Sequence, residues 1–560
     1  MSPPDLFSVV NAVIPLMPLD FDTFTNFAPL RDILSSDNAS LFRIAAGAFM
    51  GSSSAGVILL YFQEKIYYLP LRFRRDHTII CTLNHRSMPI LKDLVLRKQK
   101  PVVIEKDGNN RYIETCRQMG VIVLVGEPTD SSVLIRAGIQ KAQYILCLDD
   151  SDEMNAEVAL QAEDLAVNTA HGRITAIIQV LDPRLYLMMR RQAFASEGSK
   201  IHLDFFNQYA IGAKILLGRY APLCRPGPAP VPYPVVIFGA GNLGEHVLTG
   251  IARAWYGKTF PGGARPVIIL VDREAEKIAG DLTRRYTGIT RACEIIPISL
   301  DVHSAAFENG TFLDNPVLQD GFSAYICFNN DTVGLCTSLI LHRFSAGRNV
   351  RIIVRVEHNP HVAELVSAAE NLPHGARTLI PVDMFSLTAD STRILAGEKE
   401  CIARAIHENY CGKEREKGIT SDTNRLLVSW EELGTLTQKK DGIDGRQYQE
   451  SNRGQAQMIW SKLNLIHCDL GPLTDWDAPG TFRFSPEEIE TLSVIEHERW
   501  MQDRLKNGWR SGATRDDRKK THPSIIPYEQ LSESEKEKDR DTVRQIPFIL
   551  SLADFQIYRR

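Results

Sequence analysis

The 560-residue sequence contains no C-x-x-C pair, no H-E-x-x-H, no G-x-S-x-G and no TVGYG stretch. The first two absences remove the common zinc arrangements, the third a serine-hydrolase elbow, and the fourth a self-contained potassium filter. Two near misses stay misses: His407-Glu408 and His497-Glu498 open like the zinc motif, but Cys411 and Met501 stand where its second histidine belongs. Gly257-Lys258-Thr259 ends like a phosphate loop, yet Ala252 replaces the first glycine and a helix rather than a strand precedes it. An excess of one charge is also lacking: 64 Lys and Arg against 68 Asp and Glu give a net −4, which argues against nucleic acid as a partner. The ten cysteines (81, 116, 147, 224, 293, 327, 336, 401, 411 and 468) are scattered, and Cys81, Cys147 and Cys327 fall in apolar runs. They read as buried reduced thiols in a reducing compartment, with no metal site. No nucleophile–base constellation is recognisable, so a catalytic role is not expected.

The N-terminus shows no secretory signal, since MSPPDLFSVV has no basic region and no clear small-residue cleavage site follows. It does hold IAAGAFMGSSSAGVILLYF, residues 44–62, an uncharged run that as a helix would extend about 28 Å against a hydrocarbon core of about 30 Å. Small residues dilute it, aromatics at 61, 62, 67 and 68 follow, and Lys65, Arg72, Arg74 and Arg75 close the flank. That pattern is expected of a membrane helix with the rest of the chain in the cytoplasm, a buried core helix being the alternative. A second apolar stretch, Leu6 to Leu19, is too short to span, so one candidate span implies an oligomer or a missing upstream helix.

From residue 76 the chain alternates short apolar runs with helical spacing: TIIC (78–81), PVVIEKD (101–107), VIVLVG (121–126) and AQYILCLDD (142–150). A proline-rich connection, 224–234, ends the block, and the series restarts with VVIFGAGNLG (235–244), VIILVDRE (267–274), SAYICFNND (323–331) and NVRIIVRVE (349–357). This is an internal duplication, and strands separated by helices predict α/β architecture: two doubly wound Rossmann-like domains in tandem. From about residue 391 charged helical segments take over, and PLTDWDAPGTFRFSPEE (472–488) reads as an exposed connection leading to a helix capped by Ser485. The expected domains are 1–75, 76–223, 235–390, 391–471 and 485–560.

The second copy carries Gly239-Ala-Gly241-Asn242-Leu-Gly244 between a strand and a helix. The first glycine permits the tight turn, the second lets backbone approach a pyrophosphate, and the third allows close helix–strand packing. Asp272, followed by Arg273, closes the next strand, where a ribose hydroxyl would be accepted. The expected ligand is NAD(H) or another adenine nucleotide, with ATP, ADP-ribose and cyclic nucleotides equally open. In the first copy Thr82, Asn84 and Ser87 replace the three glycines, while Glu105 and Asp107 keep the acidic end of the second strand. The fold should survive there and tight pyrophosphate binding should not.

Residues 77–390 resemble the regulator-of-potassium-conductance family, the TrkA N-terminal nucleotide-binding type. The likeness rests on PVVIEKD, GEPTD (126–130) and LIRAGIQKAQYILCLDDSDEMN (134–155) in the first copy, and on FGAGNLG, ILVDRE and ICFNND in the second. The resemblance implies a cytoplasmic, homo-oligomeric regulator, a dimer or ring, that binds a nucleotide or ion and controls a membrane pore. Residues 495–550 resemble the ryanodine-receptor repeat domain through His497, Glu498, Trp500, Gly508, Trp509, Gly512, His522, Pro523, Pro527, Tyr528, Leu531, Lys538, Asp539 and Arg544. A diverged companion repeat is read at 402–410, Trp430 and 451–463. Trp500, Trp509, His522 and Tyr528 with Arg515 and Arg544 are the candidate ligand contacts of this module, the cations joined by Lys519 and Lys520 for phosphate. The combined expectation is a membrane-associated, largely cytoplasmic nucleotide sensor of an ion channel or transporter. A pore-free sensor and an NAD(P)-dependent oxidoreductase are the alternatives.

Overall fold

The computed structural model describes residues 68–166, 174–182, 185–186, 188–189, 201–227, 230–357, 379–437, 444–516 and 519–560. The stretches 44–62 and 6–19 lie outside the described residues. Among those described, no helix is long and apolar enough to cross a membrane. Arg74–Arg560 form one compact unit.

Within this unit the first copy runs β1 (His77–Cys81), α1 (Ser87–Leu96), β2 (Val102–Glu105), α2 (Tyr112–Gln118), β3 (Ile122–Val125), α3 (Ser131–Arg136), β4 (Ala142–Cys147), α4 (Asp152–Ala166), β5 (Ile174–Gln179), β6 (Ile201–Phe206) and α5 (Gln208–Arg219). Its six strands are all parallel, in the order β3-β2-β1-β4-β5-β6. The second copy repeats the series: β7 (Val235–Phe238), α6 (Asn242–Trp255), β8 (Val267–Asp272), α7 (Ala275–Arg285), β9 (Glu294–Ser299), β10 (Gly321–Ile326), α8 (Asp331–Phe344), β11 (Asn349–Val356) and β12 (Leu379–Asp383). Its order, β9-β8-β7-β10-β11-β12, is that of the first sheet. Strands buried on both faces read as continuous apolar runs, which is why β1, β4, β7 and β10 were visible in the sequence. By contrast, β9 and β12 contain Pro297 and Pro381 and were not anticipated. Both are edge strands, where a missing N–H is tolerated.

The duplication extends to single hydrogen bonds. Asp152 accepts from Leu181 N at 2.8 Å, and Asp331 accepts from Glu357 N at 3.0 Å, each tying the start of a helix to the end of the neighbouring strand. Asn207 caps α5 through Ala210 N, and Asp383 caps the short helix Met384–Leu387 through Ser386 N. Two residues past those caps, Tyr209 and Phe385 meet edge to face with centroids 6.2 Å apart. The copies also exchange helices. Tyr209, Ala213 and Leu216 of α5 complete the core formed by Val235, Ile237 and Val247 of the second copy. In return Ile394, at the start of α9 (Ser391–Glu416), is buried with Ile80, Leu91 and Val103 of the first. Ser391 donates twice to Asp93 of α1, through N at 2.8 Å and Oγ at 2.6 Å.

The helix α9 continues past a break at Gly397 into the C-terminal region, which adds α10 (Gly445–Leu465), β13 (Cys468–Pro472), α11 (Pro486–Lys506), β14 (Arg510–Ser511), β15 (Thr521–His522), α12 (Glu533–Arg544), α13 (Ile546–Leu552) and β16 (Phe555–Arg559). The segments read as two modules, 391–471 and 485–560, share one core: Ile402, Ile406 and Ile459 pack with Leu492, Ile549 and Ile557. The region is not wholly helical either, since β13 and β16 pair antiparallel and close it. Ser485 begins α11 with a reciprocal capping box to Glu488, as its sequence signature predicts.

Candidate functional site

The two glycine-loop positions can be compared atom by atom because the flanking strands are in register. Cys81 pairs with Ile104 as Phe238 pairs with Val271, which sets Glu105 against Asp272 and Thr82 against Gly239. Thr82 N donates to Ile104 O at 2.9 Å, and Gly239 N to Val271 O at 3.0 Å. The acid at the strand end holds the next amide in both: Leu83 N to Glu105 Oε2 at 2.6 Å, Ala240 N to Asp272 Oδ2 at 2.9 Å. Even the backbone torsion is kept, with φ of 78° at Thr82 and 82° at Gly239. A β-branched residue in that left-handed region is strained.

What differs is the helix entrance. In the first copy Asn84 Oδ1 accepts from Arg86 N at 3.0 Å and Ser87 N at 2.8 Å, while Asn84 Nδ2 donates to Leu148 O at 2.9 Å. The carboxamide thus sits on the amides that a phosphate would need. The second copy offers those groups bare: Gly241 provides no side-chain cap to α6, and a Cβ built on it meets nothing within 4 Å. Its neighbours are glycine for packing reasons. A Cβ on Gly244 would lie 2.0 Å from Gly239 O, and one on Gly239 would lie 2.8 Å from the Phe328 ring. Replacing Asn84 by alanine should lower stability in urea titration by about 1 kcal/mol, the usual worth of such a cap, and leave nucleotide affinity measured by calorimetry unchanged.

The first cradle is also covered. Arg86 donates to Tyr209 Oη at 2.8 Å, and the guanidiniums of Arg86 and Arg355 each stand 5.3 Å from the Tyr209 ring. Arg355 pairs with Glu357, and His85 lies 3.4 Å from Glu357. The end of β11 in the second copy therefore packs against the loop of the first, through Tyr209 and His85.

Around the second cradle Asn242 is exposed. Asp272 has its two carboxylate oxygens on Ala240 N and Glu274 N, the latter at 3.1 Å. Glu274, paired with Lys277 on the surface, is a second acid beside this strand end that the sequence did not single out. Arg273 faces outward and pairs with Asp301 at 2.9 Å.

In the C-terminal module the expected contacts divide. Trp500 and His522 meet edge to face at 5.1 Å, and Trp509 lies 6.4 Å from the same imidazole. Tyr528 packs on His497 at 5.9 Å. Arg515 is exposed. Arg544 does not join them; it pairs with Glu537 and Asp541 on the outer side of α12. Lys519 pairs with Asp516, and Lys520 donates to Asn507 O at 2.9 Å. The cation actually set among the tryptophans is Arg504, 4.8 Å from the Trp509 ring and 5.6 Å from Trp500, with a buried Nε that has no hydrogen-bond partner. Nothing in its sequence context, a charged helix end, distinguished it.

His497 is held from both sides, by Asp539 Oδ2 at 3.1 Å and Ile526 O at 2.8 Å, an arrangement in which both ring nitrogens donate. Burial alone would depress its pKa, but the Asp539 carboxylate and the carbonyl outweigh it and raise the value above the ordinary one. A raised folded pKa gives stability that is complete below the unfolded value of about 6.5 and is lost as pH rises through the folded one. The stabilisation supplied by His497 should therefore decline as pH rises above about 6.5, and Asp539→Asn should remove that decline from the pH dependence of the melting temperature.

Among the described residues no cluster of His, Cys, Asp and Glu is arranged to hold a metal ion. The TrkA-N domain profile matches residues 78–192, and the RyR domain profile matches residues 486–559. An uncharacterized protein of Methanothermus fervidus is 30% identical over 152 residues, covering 26% of this chain and 24% of that protein. The voltage-gated potassium channel Kch of Escherichia coli is 34% identical over 95 residues, 17% of this chain and 23% of Kch. The chain thus spans about a quarter of the length of the curated relatives it matches. Among solved structures, the GsuK channel bound to NAD is 17% identical, with 64% of this chain and 72% of that one covered at a TM-score of 0.41. The TrkA-N match falls on the copy whose glycines are gone. The chain carries a TrkA-N domain followed by an RyR domain.

Proposed function

We propose that the protein is a non-enzymatic nucleotide sensor that regulates an ion channel or transporter, potassium being the expected ion. The second cradle, Gly239, Gly241, Asn242 and Gly244, takes the diphosphate of NAD(H) or another adenine nucleotide, with Asp272, Glu274 and Arg273 toward the ribose. The observation that carries this is the space over Gly241, where the homologous position of the first copy is filled by a self-capping asparagine. The resemblance to the Kch channel supports the regulatory role. The protein acts as a homo-oligomer at the membrane, anchored through residues 44–62, with its bulk in the cytoplasm. A second ligand contact is proposed at Trp500, Trp509 and His522 around the unpartnered Arg504 Nε, a setting suited to a planar anionic group. Calorimetric titration of the full chain with NAD, NADH, ADP and ATP, alongside mass spectrometry of small molecules released on denaturation, tests the reading. Absence of binding by all four and of any released nucleotide would refute it.

A further inference from the structure

The segment between β13 and α11 has the composition of an exposed connection, yet it fastens the C-terminal domain to the nucleotide domain. Leu473 N donates to Asp554 O at 2.9 Å, and Thr474 N and Asp475 N both donate to Gln556 Oε1, at 2.8 and 2.7 Å. The segment is therefore one body with β16. From that base Trp476, 6% exposed, enters the core that holds Val247, Leu248 and Ile251 of α6. Its ring lies 5.5 Å from Tyr256, just past the end of α6, and 6.2 Å from Tyr286, just past the end of α7. Gly288 makes the room, since a Cβ there would lie 2.7 Å from the indole. Polar contacts lock the fit: Thr287 Oγ1 donates to Asp475 Oδ1 at 2.8 Å, and Tyr256 and Arg291 both bond Asp477. Independently, Arg253 of α6 donates to Ser551 O of α13 at 3.0 Å.

The same contacts reach the cradle. Tyr286 Oη donates to Glu245 Oε1 at 3.2 Å, and Arg285 pairs with that carboxylate. Glu245 directly follows Gly244 in the first turn of α6. Both ends of the helix that carries the glycine loop are thus gripped by side chains that also touch Trp476 or its neighbours.

We propose that Trp476 is a coupling peg that links occupancy of the second cradle to the RyR domain. A phosphate at the start of α6 brings negative charge beside Glu245; the carboxylate shifts its hold on Arg285 and Tyr286, and Tyr286 passes the displacement to Trp476 and through Gln556 to the domain core. Reciprocity follows, so a change imposed at the RyR domain alters nucleotide affinity by the same factor. This coupling rests on reading Gly239–Gly244 as a nucleotide cradle.

Hydrogen exchange on the full chain, with and without saturating NAD or ADP, separates the two claims. The expected result is slowed exchange at residues 239–246 together with altered exchange at 473–478 and 497–528. Tyr286→Phe, which keeps the ring and removes only the hydroxyl, should preserve the cradle response and lose the distal one. Trp476→Ala should change nucleotide affinity about fivefold or more. A wild-type response confined to 239–246, or a distal response that survives in Tyr286→Phe, overturns the coupling while leaving the cradle standing. No response at 239–246 with either nucleotide refutes the cradle reading and the coupling with it.

Discussion

Gly241→Asp should abolish nucleotide binding while leaving the melting temperature within about a degree, because surface changes without a clash are close to neutral. The side chain enters open space, since nothing lies within 4 Å of its Cβ. Once there it occupies the diphosphate position and sets a carboxylate against the ligand's own charge. A loss of at least 100-fold, about 2.7 kcal/mol, is expected in a calorimetric titration. Gly244→Ala gives the complementary outcome. Its methyl group would lie 2.0 Å from Gly239 O, a backbone atom that can yield only if α6 moves off the strand. Both affinity and stability should fall, the latter by about 1–3 kcal/mol in urea titration, as for other overpacked sites. If Gly241→Asp lowers stability as much as Gly244→Ala does, the space over Gly241 is not a ligand site. Asn84→Asp, in the first copy, should leave binding intact, since it keeps the oxygen that caps α1.

The second large effect is expected at Gly397, where α9 passes from the first α/β domain into the C-terminal domain. Its torsions, φ 58° and ψ −151°, are open to glycine and almost closed to other residues. A Cβ there would lie 1.8 Å from Asp204 Oδ2, and Asp204 Oδ1 already accepts from Glu398 N at 3.0 Å. Gly397→Ala therefore sums torsional strain, a clash and the loss of a buried hydrogen bond, about 3–5 kcal/mol in all. Chemical denaturation of the full chain measures it. Pairing Gly397→Ala with Asp204→Ala distinguishes the terms: the double variant should recover part of the loss, because the clash disappears and the torsional strain remains.

The glycine loop was readable in the sequence because its requirements are local. A tight turn, a backbone approach and a close packing contact each demand the absence of a side chain at a fixed spacing. The loss of the glycines in the first copy was readable for the same reason, through Thr82, Asn84 and Ser87. What stands in their place was not: the sequence shows a side chain at position 84 but not that its carboxamide oxygen takes the amides of Arg86 and Ser87. Non-local features were hidden altogether. Apolar residues on α5 announce burial without saying against which sheet, so the exchange of Tyr209, Ala213 and Leu216 into the second core left no trace. Trp476 was obscured by its aspartates, proline and glycine, which describe a turn, while the pocket that receives it is built from Tyr256, Tyr286 and Gly288 in another domain. Arg544 differs in the opposite way, since Asp541 one turn and Glu537 two turns back on its own helix claim it.

The traded helices set a rule for dissecting the molecule. A fragment ending at residue 223 would keep α5 and leave its Tyr209, Ala213 and Leu216 stripe facing water, while lacking Ile394 to seal its own sheet. A fragment beginning at residue 235 would have the reverse defect, an open surface beside α6. Each piece is the other's missing part, so co-expressed halves should find one another and reassemble, whereas either half made alone should precipitate.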